Sequence, residues 1–333
     1  MDLIRTNKNM LTTVVGSYPV VETQTQTFGA KISKLLGSYD EFKPSLEIAV
    51  KDQILAGVDI VSDGQVRGDM VEIFAKKLPG MTVEDDVPGI NGKIRALNGS
   101  IGAADMKLAI KTAENISENF KNSEPLMDGN DLNHSYKGVK GIVTGPTTLV
   151  LSSRILDFYK KDNKSKIILD MAQALKKEVK ELEAAGAGMI QIDEPFLSTG
   201  IADLKVAKEA IKTISADLKV PVAMHVCGDV GEVLGDILKF PVQIIDCEFA
   251  GVDSNIEALK TEYKGSKKIG FGCLDTKTEV VETVEQVSNL VKKGIDIVGK
   301  ENMMIDPDCG MRMLPREIAQ LKLKKMKETV SWL

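Results

Sequence analysis

Short apolar, β-branched runs alternate along the chain with segments whose apolar residues recur at helical spacing. Eight runs read as strands: 12–18, 58–63, 140–145, 188–193, 220–227, 243–249, 267–273 and 301–306. Helical patterns separate nearly all of them. In 167–185, Met171, Ala174, Leu175, Val179 and Leu182 share one face, and Gly186 stops the helix before the next strand. Eight βα units in 333 residues predict a (β/α)8 TIM barrel, with an open doubly wound sheet as the alternative. No linker divides the chain, so 1–333 reads as a single domain.

The spacing between the second and third strands is anomalous, with about seventy residues intervening. Stretches rich in Gly, Asn and Asp, 79–102 and 122–139, flank a helical pattern over 103–120. The segment 79–139 therefore reads as an insertion within the barrel. A lid, a docking surface and a tolerated surface loop all fit it.

Composition narrows the function classes. With 43% hydrophobic and 27% charged residues, neither disorder nor a fibrous repeat fits. A net charge of −5 provides no global field for nucleic acid or an acidic membrane surface. No apolar stretch reaches bilayer length, and Met1–Arg5 lacks the start of a secretory signal. A cytoplasmic enzyme without nucleic-acid or membrane partners is expected. Four cysteines make no disulfide framework in so long a chain; in a reducing compartment, Cys near His or Glu points to metal or chemistry.

In such a barrel the active site lies where strands end and βα loops begin. Those ends read Gly16-Ser17-Tyr18-Pro19, Asp63-Gly64, Gly145-Pro146-Thr147-Thr148 and Asp193-Glu194-Pro195. Then come His225-Val226-Cys227, Glu248, Gly272-Cys273 and Asp306-Pro307-Asp308-Cys309-Gly310. His225 and Cys227 are two apart on a strand and project to one face, a nitrogen and a sulfur suited to tetrahedral zinc. Glu248 shares a face with Asp246, while Cys247 points the other way. A second sulfur comes from Cys309 or Cys273, and the Gly-bounded turn favours Cys309. The His-x-Cys pair alone fits core packing as well as a metal. Glu248 and Cys309 at other strand ends tip the balance to metal. Cys247 and Cys273 read as structural, and His134 as merely exposed.

With GSYP, DGQVRGDMVE, TGPTT, QIDEP, HVCGD, DCEFAG and DPDCGMR in order, nearly the whole chain resembles cobalamin-independent methionine synthase, specifically its catalytic C-terminal half. The resemblance implies a Zn2+ cofactor on His225, Cys227, Glu248 and Cys309, and methyl transfer to the thiol of homocysteine to form methionine. It also implies that Ser17 and the backbone around Val15 hold the substrate carboxylate. Asp193 would pair with the ammonium, helped by Glu194 or Asp63. A turn-stabilising Ser17 and a helix-capping Asp193 or Glu194 are the structural alternatives. No catalytic group beyond the zinc-activated substrate thiolate is called for, since zinc deprotonates a thiol that is otherwise mostly protonated at neutral pH. Glu248, harder and more easily displaced than a thiolate, is expected to yield its place to that thiol.

Three departures from the family concern the methyl donor. Full-length members carry a second barrel before this one. Folate-using members place a Trp shortly after the GP-x-T motif, whereas this chain reads GPTTLVLSS and has its one Trp at position 332. The family's His in the strand-7 loop is absent; GCLDTKTEV has Lys277 near its place. A folate amine must be protonated to leave, while a methyl–cobalt bond needs no such acid. The expected donor is therefore a methylated corrinoid, presented by a protein that docks on the Gly/Asn-rich insertion. Two alternatives are a zinc alkyltransferase acting on another thiol such as coenzyme M, and a non-catalytic zinc or corrinoid-carrier binding protein. A purely structural zinc would have four strong ligands, so a displaceable Glu speaks against the last.

Overall fold

The computed structural model describes residues 10–21, 39–122 and 136–333, with the side chains of 120–122 left aside. His134 lies outside the described residues. Strands and helices are numbered below among the described residues.

All eight predicted strands form one parallel sheet. They are β1 (Leu11–Thr12), β2 (Ile60–Val61), β5 (Gly138–Thr144), β7 (Met189–Asp193), β8 (Val222–Val226), β9 (Ile244–Glu248), β10 (Lys268–Gly272) and β11 (Met303–Asp306). The order is β1-β11-β10-β9-β8-β7-β5-β2. Thr13 bridges to Ile60 and donates its hydroxyl to the Ile60 carbonyl at 2.8 Å, joining the first and last strands of that order. The sheet thus closes into a barrel, which leaves this sheet without a free edge among the described residues.

Strand parity sets the layers inside the barrel. Leu11, Ile60, Met189, Ala223, Ile244 and Met304 form one small apolar cluster. Two residues further along, the same faces present Gln191, His225, Asp246 and Asp306, and two further again Asp193, Cys227 and Glu248. The interior therefore passes from apolar to polar to reactive along its axis. Gly270 makes room for this: a Cβ there would lie 2.6 Å from the Asp246 Cβ. Alternate residues such as Ile192, Met224, Cys247 and Phe271 join the larger core between strands and helices.

The outer helices form where apolar stripes meet end signals. In α5 (Lys164–Ala184) the stripe Ile167, Met171, Leu175, Val179 and Leu182 is buried; Asn163 accepts from the Lys166 N–H at its start, and Gly186 follows at φ 106°. In α9 (Val284–Val298) Thr283 and Gln286 make a capping box. No helix among the described residues is long and apolar enough to cross a membrane.

Within 79–139, the helix predicted at 103–120 appears as α3 (Ala103–Asn122) and packs against α1 (Lys43–Leu55) and α5. It thus takes a place in the outer ring. Before it lies a hairpin, β3 (Met81–Glu84) and β4 (Val87–Ile90), turned by Asp85 and Asp86 with φ 48° and 59°. β4 pairs with β6 (Arg154–Ile155), from the connection after β5. Glu178 of α5 fastens the following stretch, accepting from Ser100 Oγ (2.9 Å), the Ile101 N–H (2.8 Å) and the Gly102 N–H (2.8 Å). Lys177 donates to the Leu97 carbonyl.

Candidate active site

The polar strand ends converge on a cavity of about 370 Å³ lined by Val15, Ser17, Asp193, His225, Cys227 and Cys309, among others. His225 is the penultimate residue of β8, Cys227 follows the strand's last residue, and Cys309 sits in the turn after β11. One donor atom from each lies within 4.8 Å of the other two, a group that could hold a metal ion. His225 is 2% exposed, and neither of its ring nitrogens has a hydrogen-bond partner. Its Nδ1 lies 3.3 Å from Asp246 Oδ1, opposite it in the β8–β9 register, without hydrogen-bond alignment.

Burial disfavours a charged His225, yet Asp246, Cys227 and Cys309 together outweigh that and raise the imidazole well above its ordinary pKa. A hydrogen bond from Cys227 pulls the Cys309 thiol down to about 4 against the effect of burial, with His225 adding to the pull. Cys227, as the donor of that bond, is pushed up. One nitrogen and two sulfurs, one of them readily a thiolate, suit a borderline-soft divalent ion. The buried, unpartnered imidazole nitrogens are what such an ion would satisfy. Asp246 then stands where a carboxylate orients a ligating histidine.

Glu248 is not part of that trio. Its carboxylate is 3% exposed and accepts from Lys277 Nζ at 2.7 Å. Asp308 ties the two loops together, accepting from the Phe249, Ala250 and Gly251 N–H groups at 3.0, 3.0 and 2.6 Å. Cys247 and Cys273 are both 1% exposed within the main core, away from the trio.

The predicted substrate anchors divide. Val15, Ser17 and Asp193 line the cavity. Burial pushes Asp193 up to about 6, although His225, Gln191 and Lys140 all favour its charged form. Glu194, the next residue, points elsewhere: it accepts from the Thr147 and Thr148 N–H groups (3.0 and 2.8 Å) and from the Thr148 hydroxyl (2.7 Å). It thereby caps α4 (Pro146–Leu151), the helix-capping alternative, and burial raises it to about 7. So close is its approach that a Cβ at Gly145 would lie 2.2 Å from Glu194 Cδ. Asp63 accepts from the Gln65 N–H and lines a separate 50 Å³ cavity beside Arg67 and Asp105. Much of DGQVRGDMVE is likewise architectural: Arg67 pairs with Asp40 and Asp105, and Asp69 caps α2 (Met70–Ala75).

Several cavity residues escaped the reading of strand ends. Gln65 and Arg312 line the cavity and touch each other, the guanidinium donating to the Gln65 carbonyl. Gln191 does not line the cavity but lies two residues before Asp193 on the same face of β7 and donates to it, so strand parity alone could have found it.

A (β/α)8 barrel whose C-terminal strand ends bring one nitrogen and two sulfur donors, a group that could hold a metal ion, beside a small-molecule cavity defines a class of barrel enzymes. Within that class, the family described as the cobalamin-independent synthase catalytic domain matches residues 10–331, and the chain belongs to it. The chain is 50% identical over 317 residues to the methionine synthase of Methanothermobacter thermautotrophicus, covering 95% of this chain and 98% of that protein. It is 42% identical over 328 residues to the methionine synthase of Methanocaldococcus jannaschii, covering 96% and 98%. Among solved structures it is similar to a B12-independent methionine synthase from Shewanella sp. W3-18-1 in complex with selenomethionine. There the TM-score is 0.78 at 24% identity, with 97% of each chain covered, a likeness of fold.

Proposed function

We propose that the protein transfers a methyl group to the thiol of homocysteine, forming methionine, with zinc held by His225, Cys227 and Cys309 and with Glu248 as an exchangeable fourth ligand. The observation that carries this reading is one cavity holding both halves of the requirement: the His–Cys–Cys trio, and Asp193 with the Val15–Ser17 strand end. A bound zinc ion would keep a coordinated substrate thiol in its thiolate form at neutral pH. Asp193 would take the substrate ammonium and the Val15–Ser17 turn its carboxylate. Lys277 provides Glu248 with a partner when it is off the metal. Coenzyme M, a sulfonate without an ammonium, would leave Asp193 unpaired, and this favours the amino acid.

The methyl donor in this reading is a methylated corrinoid presented by a protein. After GPTT the chain continues as α4 with Leu149, Val150 and Leu151, and its one Trp, Trp332, ends the C-terminal helix α10 (Arg316–Trp332). Large apolar side chains stand exposed on five βα connections at the cavity end: Val20, Leu156, Phe158, Ile201, Val280 and Met313, the last 89% exposed. Such a rim suits a macromolecular donor better than a free pterin. Zinc-loaded protein should methylate homocysteine with methylcobalamin and not with methyltetrahydrofolate polyglutamate. Turnover with the folate alone would overturn the donor reading, and a failure of homocysteine to accept from either would overturn the acceptor reading.

A further inference from the structure

Lys140 has no part in the chemistry described so far. It sits on β5, points into the barrel and is 1% exposed. Asp193, Asp246 and Asp306 supply the negative charge around it. An ammonium so enclosed needs a defined partner, because an unpaired buried charge is strongly destabilising. Its hydrogen bond goes to Gln191, whose Oε1 accepts from Nζ.

That bond determines which way round the Gln191 amide stands. With Oε1 turned to Lys140, the amide NH2 donates to the Val15 carbonyl at 2.7 Å and to Asp193 Oδ1 at 2.7 Å. A flipped amide would aim its oxygen at two other oxygens and its NH2 at an ammonium. All three hydrogen bonds would be lost together. Gln191 therefore joins the ends of β1 and β7, which lie at opposite ends of the Gln191–Val15 sequence separation of 176 residues. Both ends line the cavity, Val15 beside Ser17 and Asp193 beside the metal-ligand trio.

We infer that Lys140 is a positioning residue for an α-amino-acid substrate: by locking the Gln191 amide it holds the β1 end and Asp193 at the spacing that receives the carboxylate and ammonium of one molecule. The inference rests on the homocysteine reading of this cavity. It assigns the buried lysine to substrate recognition and not to metal binding, since Lys140 has no hydrogen bond to His225, Cys227 or Cys309 among the described contacts.

The test uses full-length, zinc-loaded protein and two variants. Lys140→Met keeps the bulk and removes the lock; Gln191→Glu keeps a partner for Lys140 but removes both N–H donors, so the buried ammonium stays paired if the first variant does not fold. Each should raise the homocysteine KM, and weaken methionine binding in calorimetry, by about 10- to 100-fold, the loss of one or two hydrogen bonds to a charged group. The kcat at saturating homocysteine and the zinc content after chelator challenge should stay at the wild-type level. Unchanged methionine affinity in both folded variants, or loss of zinc in parallel with affinity, would overturn the role. Wild-type protein that holds zinc yet binds neither homocysteine nor methionine would instead overturn the reading of the cavity.

Discussion

Lys277 reaches from the loop after β10 to place Nζ 2.7 Å from Glu248 Oε2, joining a 60% exposed ammonium to a 3% exposed carboxylate. The pair links the loop where the family resemblance leads one to expect a histidine to the acid expected as a fourth metal ligand. Lys277 is thereby the counter-ion of Glu248, and under the proposed zinc site the metal and Lys277 would compete for one carboxylate.

Replacing Lys277 by Met should accordingly have different effects on the metal-free and zinc-loaded forms. Without metal, Glu248 loses its partner, at about 1–2 kcal/mol given the exposure of the lysine. With zinc bound, Glu248 has the metal and the loss should nearly vanish. Thermal unfolding of both forms checks this; equal losses would mean that Glu248 stays off the metal.

Lys322 holds that loop from behind. Fully buried on α10, it donates to the carbonyls of Asp275 and Val280 and, at 2.8 Å, to Glu282 Oε2. Lys322→Met should destabilise the protein by about 3–5 kcal/mol in denaturant unfolding, because Glu282 and two carbonyls lose their donor. It should also expose amides in 275–282 to faster hydrogen exchange, while those of β8 remain protected.

Asp193→Ala should raise the homocysteine KM by roughly 10- to 100-fold, the size of a hydrogen bond to a charged group, and leave zinc content unchanged. Metal analysis beside steady-state kinetics separates the two. Loss of zinc would place Asp193 in the metal site.

Asp63 gives the pH prediction. Burial pushes it up to about 6 from an ordinary 3.8, with Asp105 adding to the shift and the Gln65 N–H opposing it. The folded protein thus favours protonated Asp63. The associated stability is fully present below about 3.8 and is lost as pH rises through about 6, on the order of 2–3 kcal/mol. Asp63→Asn should flatten the unfolding free energy between pH 4 and about 6 and stabilise the protein at neutral pH. As Asp63 lies outside the cavity lining, the homocysteine KM should move less than about threefold.

How far the residues could be read depended on how local their constraint was. The eight strands were legible because alternation and β-branching are local, and the placement of His225 and Cys227 followed from a period of two. The helix was also visible, as the pattern over 103–120; its place in the outer ring was not, because neighbours α1 and α5 are contacts distant in sequence. Asp193 and Glu194 show the limit. Adjacent residues cannot share a strand face, so parity could separate them, but which one faces the lumen depends on how the strand enters the sheet. Lys140 is the converse: a lysine in an apolar run carries no local sign that Gln191 and three aspartates await it.

By itself the sequence determined the barrel, the end of it that bears chemistry, and the residue types available there, since these follow from hydrophobic period and strand polarity. Only the closed barrel decided which side chains meet. It set Glu248 on Lys277, turned Glu194 to cap α4, placed Asp63 in its own cavity and gave Lys140 the Gln191 amide. Those choices are made by ångström-scale distances between strands far apart in the chain, where burial makes an unpaired polar group costly.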